Sequence, residues 1–532
     1  MTKIHKWIVD VAVFFVLTAG APDTPAQTYD PKSTTQKFNS LLHYITFSYV
    51  DTLDEARLVE KAIVATLKEL DPHSLYISKE DVIKSNETLE GNYEGIGITF
   101  QIYHDTIMVI SPHPGGPSER AGLLAGDKIV RINGEDATGD AVDEVYVFKR
   151  LRGRKGTTVE VTVLRKAKKT PTDFTIRRDL ISINSVDASY LITPEIGYIR
   201  LNRFSRNTAD EFRDSLRNLI ARGMSKLVLD LRGNTGGFLE TAVELADEFL
   251  DSDKKVVYTE GRFSARHDYL TGISGQFEQG RLVILIDEGS ASASEIVAGA
   301  VQDWDRGIIM GRRSFGKGLV QRQYYLPDSS AVRLTIARYY TPSGRCIQKS
   351  YKDGTDRYRS EIQERSKNGE LAHADSIKFA DSLKYYTHNH RLVYGGGGIM
   401  PDIFVPFDST LYGEYYQDIL RKGILNDFVL DYVENHRHEL MKKYPGEDTF
   451  IHSFVVDEKL ISDFEEYAAA KDVVQKKTAR DAMLELQIKG WIARNLYSLN
   501  TYYRIVNSGD ATLEKAIEVL GDESRFAELR IE

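Results

Sequence analysis

From Tyr190 to about Phe407, short runs of apolar, largely branched residues alternate with stretches of helical periodicity. GYIRLNRF precedes a helical stretch over 209–222, KLVLDLR one over 239–250, and RLVILID leads through a serine-rich turn into EIVAGAVQDW. Strands without a polar face must be covered on both sides, so the alternation predicts an α/β core with helices packed over its sheet.

The remaining sequence reads differently. At 532 residues the chain exceeds what one compact core can organise, and three or four folding units are expected. Apolar residues between Thr34 and Lys84 recur at helical spacing, interrupted at Asp71-Pro72. From Asn86 to about Lys169 the texture becomes short alternating runs, GIGITF, TIMVI, KIVRIN and TVEVTVLR, which predict a small β-rich module. From Tyr415 onward the pattern is helical again, for example over 465–494. The polar, weakly periodic segment from about Ser350 to His390 reads as an insertion over the core surface.

Charge and cysteine content narrow the function classes. A net charge of -9 repels polyanions and argues against nucleic acid as a partner. Lys155, Arg165, Lys166, Lys168, Lys169 and Arg177 cluster locally and read as solvated strand faces. The one cysteine, Cys346, excludes an intramolecular disulfide and a cysteine-based zinc site, and suits an oxidising compartment. Lys3, His5 and Lys6 precede an apolar run over Trp7–Leu17 and then small residues to Ala26, as in a secretory signal over 1–26. The run is too short for a spanning helix, so the chain is expected to be exported to a periplasm or cell envelope, with membrane association left open.

Three strand-end loops carry residues suited to acyl transfer. Ser292 follows RLVILID and opens a helix, where N–H groups and the positive end of the dipole favour an oxyanion. Ser292 with Glu295 also reads as an S-x-x-E capping box, and Ser290 and Ser294 compete for the same role. Lys317 stands between Gly316 and Gly318, and serves as a base only if burial or neighbouring positive charge depresses its ammonium. Gly311 to Lys317 also fits the start of a nucleotide-binding P-loop, but Gly318 replaces the magnesium-binding hydroxyl and an extended run follows instead of a helix. The third loop, Gly233-Asn234-Thr235-Gly236-Gly237, can aim backbone N–H groups into a concavity, or simply close a β-α turn. His388 and His390 lack a third ligand at suitable spacing and read as a surface pair, so no metal and no cofactor is expected.

In that order, DLRGNTGG, GSASASEIVAGAVQD, GRRSFGKGLVQ and ARYYTPSGRCIQ resemble the carboxy-terminal processing, or tail-specific, peptidases of serine peptidase family S41. LKELDPHSLY and GGGGIMPDI extend the likeness over roughly residues 40 to 407. The resemblance implies a multidomain α/β protein: a crotonase-like peptidase core, an inserted PDZ domain, and helical N- and C-terminal regions. The corresponding divisions are a helical region over 27–85, PDZ over 86–170, core over 171–407 and helices over 408–532. It implies Ser292 as nucleophile, Lys317 as general base, Gln321 as the residue that orients the lysine, and the N–H groups of Ala293 and Gly237 as the oxyanion hole. Gly233 and Thr235 depart from the usual loop, which leaves the donor open between Gly236 and Gly237. Cys346 stands where serine is common.

Tyr93 to Phe100, with PGGPSERAGLLAGDKIVRING, resembles a PDZ domain of the bacterial protease type. Gly95, Ile96, Gly97 and Ile98 are then expected to receive a peptide's terminal carboxylate, with the isoleucines favouring an apolar last residue. Expected partners are protein or peptide substrates with free, apolar C-termini, and an adaptor or a second copy at the C-terminal helices. The alternative is a non-catalytic tail-binding or scaffolding protein with a degenerate peptidase core.

Overall fold

The computed structural model describes residues 31–165, 170–272, 274–408, 413–474, 482–527 and 529. The expected signal over 1–26, three lysines of the basic cluster and part of the helical stretch over 465–494 lie outside these residues. Residues 1–65 and 66–532 form two compact units. In the first, the helix Pro31–Ser48 leaves Phe38, Tyr44 and Phe47 exposed. No helix among the described residues is long and apolar enough to cross a membrane.

The second unit is built on a six-stranded sheet. Val186–Leu191 pairs antiparallel with Ile196–Leu201. Lys226–Asp230, Arg281–Ile286, Ile308–Gly311 and Ile403–Phe404 then follow side by side, all parallel. Both faces are covered, as the apolar runs require. Leu227, Leu229, Leu282 and Ile284 pack with the helices Thr208–Ala221, Leu239–Asp247 and Ala293–Asp303. Val228, Val283 and Leu285 on the opposite face pack with Leu513, Ala516 and Leu520 of the helix Ala511–Gly521. Polar ties reinforce that second face: Arg232 pairs with Asp510 at 2.6 Å, and Ser189 N–H donates to Asn500 Oδ1 at 2.9 Å.

A second sheet flanks the lysine loop. The long strand Ala331–Tyr340 pairs with Leu319–Tyr325, Lys255–Gly261 and Leu75–Ile77. The N-terminal stretch expected to be helical over 27–85 thus contributes a strand to the core. Its interruption at Asp71-Pro72 is an Asx turn, in which Asp71 Oδ1 accepts from His73 N and Ser74 N, each at 2.8 Å.

The β-rich module lies between paired entry and exit strands, Asn92–Gly95 and Asp179–Ser182, and Ile183 N–H donates to Gly91 O at 2.8 Å. Its sheet runs Ile98–Tyr103, Thr106–Pro112, Lys128–Ile132, Thr158–Leu164, Thr172–Arg177, leaving Ile98–Tyr103 at one end.

The polar segment after Ser350 is a buttress with its own helix, Thr355–Lys367. Arg365 on that helix is buried and donates to the backbone carbonyls of Arg313 and Ser314 at 2.7 and 3.0 Å. Ion pairs hold it instead of an apolar stripe: Arg313–Glu370 at 2.7 Å and Lys349–Glu361 at 2.9 Å.

Candidate active site

The loops after three adjacent parallel strands, at their carboxyl ends, carry Gly236 and Gly237, Ser292, and Lys317, the usual location of sites in such sheets. Ser292, Lys317, Gln321, Gly236 and Gly237 all line one cavity of about 580 Å³.

The expected capping box of Ser292 with Glu295 is present, but the backbone of Ser292 differs from that of an ordinary helix cap. Ser78, Asp143, Asp457 and Ser498 open their helices from extended backbone, with side chains accepting an N–H. Ser292 sits at φ +56°, ψ −112°, a conformation costly for any residue with a Cβ. Its competitors are otherwise engaged: Ser290 Oγ donates to Leu231 O and Ser294 Oγ to Asn234 O, each at 2.8 Å. Both are buried and tie the serine turn to the glycine loop.

Glu295 supplies the carboxylate half of the S-x-x-E pattern and does more. It is 1% exposed. Oε2 accepts Ser292 N–H at 2.8 Å and Lys317 N–H at 2.9 Å, while Oε1 accepts Gly316 N–H at 2.7 Å and the Ser314 hydroxyl at 2.5 Å. One side chain therefore fixes the serine turn against the lysine loop. Tyr339 adds a second tie, its hydroxyl 2.6 Å from Lys317 O and 3.1 Å from Ser292 O.

The Lys317 amine donates to Gln321 Oε1 at 3.2 Å, and Gln321 Nε2 donates in turn to His73 O. Burial, with Arg333 adding positive charge, pushes the Lys317 ammonium below the usual lysine range against the opposing pull of Glu295 and Asp71. After Gly318 the chain enters the strand Leu319–Tyr325, and Lys317 N–H is spent on Glu295, so the segment is not a phosphate loop.

The glycine loop approaches closely. A Cβ on Gly236 would come 2.8 Å from both Ala293 N and the Ser292 Cβ, and one on Gly237 would fall 1.9 Å from Phe204 O. Gly236 N–H donates to Asn234 Oδ1 at 2.9 Å. The flanking bonds, Phe204 N to Gly236 O and Phe238 N to Phe204 O, do not use the Gly237 N–H. Ala293 is the first residue of its helix, where an N–H has no acceptor within the helix.

Residues 195–356 match peptidase family S41, and residues 95–176 match the PDZ domain. The chain is 36% identical over 323 residues to the carboxy-terminal-processing protease of Bartonella bacilliformis, covering 59% of this chain and 72% of that one. The chain belongs to peptidase family S41. It is also 36% identical over 313 residues to a CtpA-like serine protease of Staphylococcus aureus, covering 58% of this chain and 62% of the relative. Among solved structures, the photosystem II D1 C-terminal processing protease aligns at 26% identity and TM-score 0.36, over 69% of this chain and 86% of its own. The PDZ domain of a Vibrio cholerae carboxy-terminal protease in complex with peptide aligns at 33% identity and TM-score 0.16, over 17% of this chain and 97% of its own. Residues 415–498 match a family of unknown function.

In this S41 peptidase several site residues carry no motif of their own. His73 holds Gln321 through its carbonyl, and its ring Nε2 lies 2.7 Å from the Tyr358 hydroxyl of the buttress helix. Burial and the nearby Lys317 charge lower its pKa to about 4, leaving a neutral ring. The sequence signal was LKELDPHSLY, which family likeness marked and composition did not. The His388 ring lies tilted against Trp304, with ring centroids 5.2 Å apart, away from this cavity.

In the PDZ module, Gly97 adopts φ +72°, and Ile96 O accepts from both the N–H and the hydroxyl of Ser118, at 3.0 and 2.7 Å. Ile96 and Ile98 are 2% and 8% exposed and belong to the module's core. Their side chains therefore pack beneath the loop. Gly95 closes the entry strand.

Proposed function

We propose that this S41 peptidase is an endopeptidase working through a Ser292–Lys317 dyad, and that its PDZ module selects substrates by their C-terminal tails. The observation that carries the reading is the depressed Lys317 amine, held by Gln321 and facing the same cavity as a serine with strained backbone. Neutral Lys317 takes the Ser292 proton as the hydroxyl attacks the peptide carbonyl. The N–H groups of Gly237 and Ala293 receive the oxyanion, with Gly237 favoured over Gly236 because the Gly236 N–H is already donated. The lysinium then protonates the leaving amine, and the neutral amine activates water to release the acyl group.

The free edge of Ile98–Tyr103 offers a tail a strand to extend, with the terminal carboxylate at the Gly95 to Ile98 loop. Substrates are then exported or envelope proteins with apolar tails, in keeping with the signal-like N-terminus and the single cysteine. Exposed Leu420 on the helix Glu414–Arg421 and Val455 in the connection between two C-terminal helices offer a contact for an adaptor or a second copy.

Ser292→Ala and Lys317→Ala, made separately, are expected each to abolish cleavage of a reporter bearing an apolar tail. Full activity in either variant refutes the dyad, and equal cleavage of tailed and tail-less reporters refutes the tail selection.

A further inference from the structure

Strand alternation places Ile107 and Val109 on the inner face of the PDZ sheet, where both are fully buried. Met108 must then point outward. It is nevertheless 3% exposed, and it is not part of the module's own core. Its registered partner on the next strand is Lys128, beside the inward pair Ile107 and Ile129, so Met108 and Lys128 stand side by side on the outer face.

What covers them is the helix Ile424–Lys443, within the stretch that matches a family of unknown function. Leu430, Val433, Glu434 and Arg437 fall at i, i+3, i+4 and i+7, one stripe of that helix. Leu430 is 3% exposed yet lies outside the core of the helical region. Met108, Val109, Gly126, Leu430, Val433 and Arg437 together surround a void of only about 20 Å³, too small for more than one water. Lys128 Nζ pairs with Glu434 at 2.8 Å. The same amine lies 5.2 Å from the ring of Tyr103, on the strand that presents the free edge.

The module has another attachment on the catalytic side. Arg152 pairs with Glu87 on the helix Lys79–Glu90, and the next residues on that helix, Thr88 and Leu89, line the catalytic cavity. A body held only there can pivot; one also seated on the helical region cannot.

We propose that the helical region 415–498 is a seat for the PDZ module, gripping the outer face of its sheet through Met108 and Lys128 so that the module keeps one orientation toward the cleft. The orienting part of this inference rests on the tail-selective reading above, whereas the seat itself does not. Both are tested with Lys128→Glu, Glu434→Lys and the double exchange in the full chain. Each single reversal sets like charges against each other and is expected to speed amide exchange in Thr106–Pro112 and Lys128–Ile132 about tenfold or more. The double exchange is expected to restore the rates to within about threefold of the parent. The single reversals are also expected to lower the ratio of cleavage rates for tailed over tail-less reporters, while Ser292 labelling by a small phosphonate stays at the parent rate. Unchanged exchange in both single variants overturns the seat. Faster exchange with an unchanged cleavage ratio overturns the orienting role. Met108→Glu supplies an independent route to the same exchange readout. If the parent cleaves neither reporter, the peptidase reading has failed and the exchange data still decide the seat.

Discussion

Replacing Gln321 by Glu turns the acceptor of the Lys317 amine into an anion at the same place. At the observed 3.2 Å separation and an effective dielectric near 20, the attraction is about 5 kcal/mol. Gln321 is only half-buried and borders an open cavity, so roughly half of this survives screening, about 2–3 kcal/mol. That raises the lysine pKa by about two units. Since only the neutral amine accepts the serine proton, the acid limb of kcat/KM should move upward by about two pH units. At pH values on the acid limb of the parent the variant then runs about 100-fold slower, recovering about tenfold per pH unit until the shifted limb is passed. Gln321→Ala is the control: it loses the same bond to His73 O without adding charge, so its limb should not rise. The assay is cleavage of a tailed fluorogenic peptide from pH 6 to 10, with circular dichroism to verify folding. A Gln321→Glu limb at the parent position would refute Lys317 as the titrating base.

Two further outcomes follow from the same geometry. Gly236→Ala should cost about 1–3 kcal/mol and slow Ser292 acylation by a phosphonate, because the new methyl meets Ala293 N and the Ser292 Cβ; Gly233→Ala, also at positive φ but facing open space, should leave acylation unchanged. Burial pushes Glu295 up to about 7, so the native state holds its proton to higher pH than the unfolded chain does. That contribution is present in full below the ordinary glutamate range and is lost as pH rises through about 7, a loss of about 3 kcal/mol. Urea titrations should show this decline in the parent and a flatter profile in Glu295→Gln.

The loops of the candidate site were legible because each follows a run of apolar residues that can only be a covered strand, and a glycine or serine turn there has few roles. Residue type alone could not separate Ser292 from Ser290 and Ser294; only the family likeness pointed to Ser292. That distinction lies in the tertiary bonds to Leu231 O and Asn234 O. Glu295 read as half of a local cap because its other three donors come from residues 19 to 22 positions away. The buttress helix Thr355–Lys367 escaped notice because it is held by Arg365 and ion pairs, which leave no hydrophobic period. Met108 was hidden for the opposite reason: alternation assigns it to a solvated face, and only a distant helix makes that face interior.

The entry and exit strands of the PDZ module leave and rejoin the core hand in hand, at Gly91 and Ile183. A chain with that connection can exchange this module for another domain whose ends also meet, and the loops around Ser292 and Lys317 need not change with it. The grip of the helical region narrows the choice: a newcomer must also present an outer sheet face that fits Leu430 and Glu434. Diversification of specificity in this architecture is therefore expected to advance by paired changes in module and helices, with the chemistry left in place.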